Sequence, residues 1–351
     1  MNSKGNRHRS SHRPPASRIA RLIAEDFFGD ALDLDSRDMS REAPGGLMPA
    51  TGAGREQGAE GRTWLGMPEV EVVRAIRRSA TTSEAGQDST RLFSVRTSQR
   101  VRFLGGNDRV VRLFLTFISA MDRVRDATQL WRAGMSLFEE RPELFDPQHA
   151  AGMEFGTLHA LLKSTGVSRK HGQDTGAWLQ VASTLARCPE SPVRQVIYAG
   201  RGDAQELLRD LRTRDEGGHL RFPLLGGPKI RLMWIRMMVN PGGAVIGRID
   251  TVPVAVDAQV RRATENLGVT ATRGLPLRKA KPVIHQAWLD ALSEVEIGGP
   301  PGIADTCAAL DPALWFFGRH GCSHCEKAGR KVRFGRACDH CVRFNQLSST
   351  G

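Results

Sequence analysis

Apolar residues recur at helical spacing along most of the chain beyond residue 62. Residues 110–121 show this best, because their apolar positions follow the i, i+3, i+4, i+7 rule of an amphipathic helix. Further helices are predicted near 126–140, 155–164, 175–187, 203–213, 228–239, 256–267, 283–293 and 308–318. Strand-like alternation is confined to short runs at 91–103 and 245–256. The pattern therefore predicts a mostly α protein.

The first 62 residues lack this periodicity. Residues 1–18 contain five Lys or Arg and no acidic residue, and residues 44–61 are rich in Gly, Ala and Pro. Such segments bury little, so the sequence predicts a disordered basic arm and linker over 1–62. The arm could touch phosphates, although a solvated tail is the simpler interpretation. A helical domain is predicted over 63–318 and a metal-binding loop over 319–345.

The overall charge narrows the choice of partner. The chain has 351 residues, with 50 Lys and Arg against 38 Asp and Glu, which gives a net charge of +12. This excess favours a polyanion, either nucleic acid or an anionic membrane surface. There is no apolar run of 18 residues and no apolar stretch behind the basic N-terminus, so neither a transmembrane helix nor a secretory signal is predicted. We expect a cytoplasmic monomer with no membrane partner, associated with the nucleoid if the source is prokaryotic.

Four cysteines near the C-terminus form two C-x2-C pairs. They are Cys322, Cys325, Cys338 and Cys341, with twelve residues between the pairs. Each pair can place two thiolates on one metal, and four thiolates suit tetrahedral zinc or an iron–sulfur cluster. The spacing therefore predicts one structural metal centre, and zinc and a 4Fe–4S cluster both stay open.

The loop between the two cysteine pairs is strongly basic. Its cations are Lys327, Arg330, Lys331, Arg333 and Arg336. Its plain role is to neutralise the thiolates, and a metal-held basic loop can also bind a phosphate backbone. We predict Arg330, Lys331 and Arg333 as DNA contacts.

A second candidate DNA contact is a helical hairpin over 222–238. Gly226 and Gly227 form a turn between two predicted helices, and Pro228 is predicted at the first position of the second helix. Backbone N–H groups at such a turn can bind a phosphate without base preference, and Arg231 could add charge. Any helical hairpin can use a Gly-Gly turn, so this signal is weak by itself.

An aspartate follows the apolar run at 252–256. Asp257 stands at the predicted start of a helix, and Arg261, predicted as a DNA contact, follows one turn later. An aspartate at a helix start is most often a structural N-cap.

Three segments in this order resemble the helix–hairpin–helix DNA glycosylase superfamily, the endonuclease III and 8-oxoguanine glycosylase group. The hairpin segment is 224–229, the aspartate segment is 254–262, and 308–322 is similar to the last helix before that family's iron–sulfur loop. The resemblance implies a helix–hairpin–helix glycosylase-like helical fold with a C-terminal four-cysteine loop.

The resemblance also implies a chemistry. Loss of a base gives the sugar oxocarbenium character, and the carboxylate assigned to Asp257 would stabilise that charge. Lys229 would attack the sugar carbon and form a Schiff base, or it would serve as a phosphate-binding cation, and both roles stay open. The target nucleotide would be flipped out of the duplex. The predicted function is a DNA glycosylase acting in base excision repair or in defence against modified foreign DNA.

Two other classes of function compete with this prediction. A non-catalytic DNA-binding protein could use the hairpin and the metal loop. A regulatory or assembly protein could use the helical domain and the four-cysteine site to bind another protein, which the basic charge disfavours.

Overall fold

A computed structural model describes residues 16–21, 23–24, 73, 107–123 and 125–322. This part of the chain is mostly helical, which confirms the predicted mostly α class. The α-helices are α1 (Asn107–Ala120), α2 (Ala127–Glu140), α3 (Pro147–Ala151), α4 (Phe155–Ser164), α5 (His171–Arg187), α6 (Pro192–Ala199), α7 (Ala204–Asp210), α8 (Ile230–Val239), α9 (Ala258–Asn266), α10 (Leu277–Leu292) and α11 (Cys307–Phe316). Two short strands, β1 (Arg201–Asp203) and β2 (Val245–Gly247), pair in parallel. No described helix has the length and apolar character needed to cross a bilayer.

The chain divides into two compact units. A central unit comprises Ala24–Ala255 and Ile297–Ala313, and a terminal unit comprises Met1–Ile23, Val256–Glu296 and Leu314–Gly351. Both units draw on separated stretches of sequence, whereas the sequence predicts one continuous helical domain over 63–318.

Helix α1 forms the middle of the central unit's core. Nearly every residue from Val110 to Met121 is buried. Aromatic rings from later elements pack against it: Phe117 stacks on Trp178 with centroids 4.6 Å apart, and Phe114 stacks on Phe145 at 5.4 Å. Burial of so many large side chains is the main favourable contribution to the unit's stability.

The terminal unit is held by an amphipathic pair of helices. Helix α9 buries Val260, Ala263 and Thr264, and α10 buries Trp288. The Trp288 indole N–H donates to the Thr264 hydroxyl at 3.0 Å, so the polar atom of the buried ring has a partner.

Several helix boundaries differ from the sequence prediction. Helix α10 begins at Leu277 and contains Pro282 in its interior, whereas the prediction began the helix at 283, after that proline. Helix α8 begins at Ile230, so Pro228 precedes the helix and does not occupy its first position. The strand predicted over 245–256 is limited to β2, and the run at 91–103 lies outside the described residues.

One short stretch of the predicted arm and linker over 1–62 is ordered. Residues 16–21 and 23–24 are helical, and Ile19, Ala20 and Ile23 are buried. The apolar residues of this stretch at i and i+4 give it a face that can be buried, and the predicted arm and linker over 1–62 otherwise stays a prediction.

Candidate nucleic-acid interface and active site

The hairpin joins α7 to α8 through a turn that approaches α7 closely. A Cβ added at Gly226 would lie 2.3 Å from the Leu211 carbonyl oxygen, so only glycine fits there. The Gly226 N–H donates to the Phe222 carbonyl and the Gly227 N–H to the Leu224 carbonyl, each at 3.2 Å. These two amides, predicted as phosphate donors, are thus engaged in closing the turn.

Positive charge gathers beside this turn. Burial, and after it the charge of Arg212, lower the pKa of the Arg231 guanidinium. The Nε of Arg231 is buried without a hydrogen-bond acceptor, and among the described residues no carboxylate pairs with this side chain. Two arginines that repel each other favour an anion between them. The hairpin therefore has two positive charges close together, on Arg212 and Arg231.

Lys229 lies immediately before α8 and forms an ion pair. Its Nζ donates to Oδ2 of Asp122 at 3.0 Å, and the Asp122 carboxylate is almost fully buried. Attack on a sugar carbon needs the free electron pair of a neutral amine. In an ammonium ion paired with a carboxylate, that electron pair is bonded to a proton. The geometry suits a structural cation better than a nucleophile.

Two further contacts fix α8 in the core. The Trp234 indole N–H donates to the Thr116 hydroxyl at 3.0 Å. The buried Arg236 guanidinium lies 3.6 Å from Asp311, whose Oδ1 accepts the Ala255 backbone N–H at 2.7 Å. Asp311 therefore joins α8 to the segment that leads toward Asp257.

Asp257 caps α9. Its Oδ1 accepts the N–H groups of Gln259 (2.8 Å) and Val260 (3.0 Å), and its side chain is partly exposed at the end of a buried run, 254–256. A carboxylate at a helix start faces the positive end of the helix dipole. The group is thus held in a defined orientation beside solvent.

Arg261, predicted as a DNA contact, is largely buried and forms hydrogen bonds within the protein. Its Nε pairs with Glu265 at 2.9 Å, while its two terminal nitrogens donate to the carbonyls of Thr272 (2.6 Å) and Leu275 (2.9 Å). All three guanidinium nitrogens are engaged within the terminal unit, so Arg261 holds the loop after α9.

The start of the metal loop is attached to α9. After α11 the chain forms a π-helical turn, Phe317–Cys322, and a Cβ added at Gly318 would lie 2.0 Å from the Gln259 carbonyl oxygen. Arg262 donates to the Gly318 carbonyl at 3.4 Å. The backbone of Cys322 ends the described region, and Cys325, Cys338 and Cys341 lie outside it, as do Arg330, Lys331 and Arg333. Within the described residues no group of three or more His, Cys, Asp or Glu is arranged to hold a metal.

The two predicted catalytic side chains belong to different units. Lys229 lies in the central unit with the hairpin, and Asp257 lies in the terminal unit with α9. Each has a local partner of its own, Asp122 for the lysine and the α9 amides for the aspartate.

Sequence reasoning missed four residues that shape these sites: Arg212, Asp122, Asp311 and Gly318. Arg212 could have been found, since it closes the predicted helix immediately before the hairpin. The other three depend on contacts between distant parts of the chain, for which the pattern of residues gives no signal.

The chain matches no protein-family model, no curated protein and no solved structure. Its function therefore has to be inferred from its own residues.

Proposed function

We propose that this protein is a DNA glycosylase that releases a damaged or modified base by hydrolysing the N-glycosidic bond. One observation carries the proposal: the Asp257 carboxylate is partly exposed and rigidly oriented at the start of α9, directly after a buried run of chain. A carboxylate fixed in advance stabilises a developing oxocarbenium ion without having to reorganise during the reaction.

The hairpin would supply DNA affinity. Arg212 and Arg231 offer a pair of charges for one backbone phosphate, and the net charge of +12 favours a polyanionic partner. The resemblance of 224–229, 254–262 and 308–322 to the helix–hairpin–helix glycosylases points to the same partner.

Strand cleavage is not part of the favoured mechanism. The ion pair with Asp122 supports Lys229 as a cation, so we expect base release to leave an intact abasic strand. Borohydride added during turnover should then trap no protein–DNA adduct, whereas a trapped adduct that Lys229→Gln abolishes would assign lyase chemistry to this lysine.

The four cysteines Cys322, Cys325, Cys338 and Cys341 would hold one structural metal. Four thiolates fill a tetrahedral shell and leave no position for a catalytic water. Anaerobic purification distinguishes the candidates: a brown protein absorbing near roughly 400 nm carries a cluster, and a colourless one with stoichiometric zinc carries zinc.

The decisive test of the proposed function uses Asp257→Asn. Asparagine caps a helix about as well as aspartate, so the fold and DNA affinity should stay close to wild type. Base release from DNA carrying a panel of lesions and hypermodified bases, revealed by alkali, should fall at least about 100-fold because charge stabilisation is lost. Equal activity in the wild type and the variant would remove Asp257 from the mechanism.

A second candidate is a non-catalytic DNA-binding protein. The capping bonds of Asp257 favour it, because they give the carboxylate a sufficient structural role without chemistry. Duplex binding by the wild type with no base released from any substrate in the panel would establish this function instead.

A further inference from the structure

The loop between α9 and α10 is a rigid turn. We call residues 272–279 the leucine turn. Arg261 donates to the carbonyls of Thr272 and Leu275, and the Thr272 hydroxyl donates to Glu265, which also pairs with Arg261. Thr272 itself is fully buried. The base of the turn is therefore fixed by a closed set of hydrogen bonds from α9.

The outer surface of the leucine turn is apolar at its tip. Leu275 and Leu277 are 37% and 36% exposed, which places them among the few large exposed apolar side chains of the described residues. Between the anchored base and Leu275, Gly274 has φ +83°, and no atom lies within 4 Å of a Cβ added there. The turn thus presents two partly exposed leucines on an anchored backbone, with open space beside Gly274.

Cations flank this apolar tip in the sequence. Residues 266–289 contain Arg273, Arg278, Lys279 and Lys281 and no acidic residue. Arg273, Arg278 and Lys279 are exposed, and in the described part of the chain no hydrogen bond or ion pair engages their side chains. Exposed charges of one sign with no partner favour an anionic surface.

The geometry favours duplex nucleic acid over a lipid bilayer. An interfacial helix binds a bilayer through a broad apolar face. Helix α10 has no such face, because Ala280, Ile284 and Trp288 are buried and only Leu277 and Val283 among its large apolar residues are exposed. A small apolar tip on a fixed turn with cations on either side in the sequence matches the wedges that proteins insert at a base step while arginine and lysine bind the flanking phosphates.

The turn is also tied to the helix that carries the proposed catalytic carboxylate. Asp257 is the N-cap of α9, and Arg261, which anchors the turn, follows one helical turn later in the same element. The carboxylate and the turn therefore share one rigid support.

We propose that the leucine turn is a duplex-DNA contact in which Leu275 enters the base stack and Arg273, Arg278 and Lys279 bind the adjacent phosphates. The inference rests on the proposed function for its partner, DNA, but it does not depend on base release. It adds a second DNA-contacting surface to the hairpin and names the wedge residue.

The wedge is tested by base unstacking. The full-length protein is added to a duplex carrying 2-aminopurine beside an abasic-site analogue, and the fluorescence of 2-aminopurine rises when it unstacks. Wild type should raise the signal, and Leu275→Ala and Leu275→Ser should each lose most of the rise while binding the duplex less than about tenfold more weakly. Val245→Ala is the matched control, since Val245 is a 72% exposed apolar residue outside the turn, and it should behave as wild type.

The charges are tested by the salt dependence of binding. Arg273→Glu combined with Lys279→Glu should weaken duplex binding about tenfold or more and lower the slope of log affinity against log salt by about two, one for each lost phosphate contact. Arg209→Glu combined with Arg214→Glu changes two arginines near the hairpin and leaves the turn intact. At saturating protein concentration, this double variant should still give the Leu275-dependent rise in fluorescence.

The outcomes separate the wedge from the chemistry. A Leu275-dependent fluorescence rise in a protein that releases no base supports the wedge and counts against the glycosylase proposal. Base release with an equal fluorescence rise in Leu275→Ala, or the absence of any rise, overturns the wedge alone. Leu275-dependent binding to vesicles of anionic phosphatidylserine, without binding to duplex DNA, would replace DNA by a membrane as the partner of the turn.

Discussion

The starts of α8 and α9 carry the two predicted catalytic residues, and they are built in opposite ways. Helix α8 has no side-chain cap at its start and is buried on almost all sides, and Lys229 pairs with Asp122, which follows the end of α1. Helix α9 is capped by its own aspartate, and only four of its residues are buried: Val260, Ala263, Thr264 and Asn266.

This difference indicates a structural role for the buried start of α8 and leaves the start of α9 accessible to a partner. Substitutions around α8 remove partners of buried groups, so they should act mainly on the free energy of unfolding. Substitutions at the start of α9 change a partly exposed capping side chain. They should therefore lower the free energy of unfolding only slightly and should act mainly on activity.

The largest effect is expected at the buried pair beside α8. Asp311→Ala leaves the Arg236 cation without this carboxylate and the Ala255 N–H without its acceptor, so the free energy of unfolding should fall by about 3–5 kcal/mol. Urea denaturation measures it. Asp290→Ala, which removes an exposed carboxylate on α10, should change it by less than about 0.5 kcal/mol. Similar values for the two variants would contradict the buried role.

The hairpin glycine should give the next effect. Gly226→Ala places a methyl group within 2.3 Å of the Leu211 carbonyl oxygen, so the turn must shift, at a cost of about 1–3 kcal/mol and with weaker DNA binding. Gly176→Ala is the control: Gly176 lies within α5 with open space around its Cβ direction. It should stabilise the protein by about 0.5–1 kcal/mol. Thermal unfolding should show a lower midpoint for Gly226→Ala and a higher midpoint for Gly176→Ala than for the wild type.

A buried thiol at the start of α11 gives a pH-dependent effect. Burial raises the pKa of Cys307 from its ordinary 9.0 to about 12. Well below pH 9 the thiol is protonated in both the folded and unfolded states, so it contributes no pH dependence. Between pH 9 and 12 only the unfolded chain loses this proton, so stability falls as pH rises, by up to about 1.4 kcal/mol per pH unit. Comparison with Cys307→Ala isolates this slope, and equal slopes in both proteins would refute it.

The smallest stability effect is expected at Asp257. Asp257→Ala removes the cap of α9 and should cost about 1 kcal/mol, while Asp257→Asn keeps a capping side chain and should cost only a few tenths. Base release should be lost in both. Activity that survives in the alanine variant would show that the aspartate is only a cap.

The helical class and most helices could be predicted from the sequence, because apolar periodicity reports which face is buried. Helix α6 was missed although its signals were present: Ser191 caps it, Pro192 begins it, and Gly200 follows it with φ +69°. The pairing of Lys229 with Asp122 could not be predicted, because the two residues lie 107 positions apart and either could have faced solvent. The same holds for Gly318 against Gln259, where the fit depends on backbone atoms.

Arg261 holds the leucine turn through hydrogen bonds to backbone carbonyl oxygens, which every amino acid has. Its bonds to Thr272 and Leu275 therefore do not depend on the side chain at position 275. Residues 273, 275 and 278 can be randomised together while the anchored base keeps its conformation. The turn thus offers a ready site for a combinatorial library, in which the side chain presented to a partner changes and the scaffold does not.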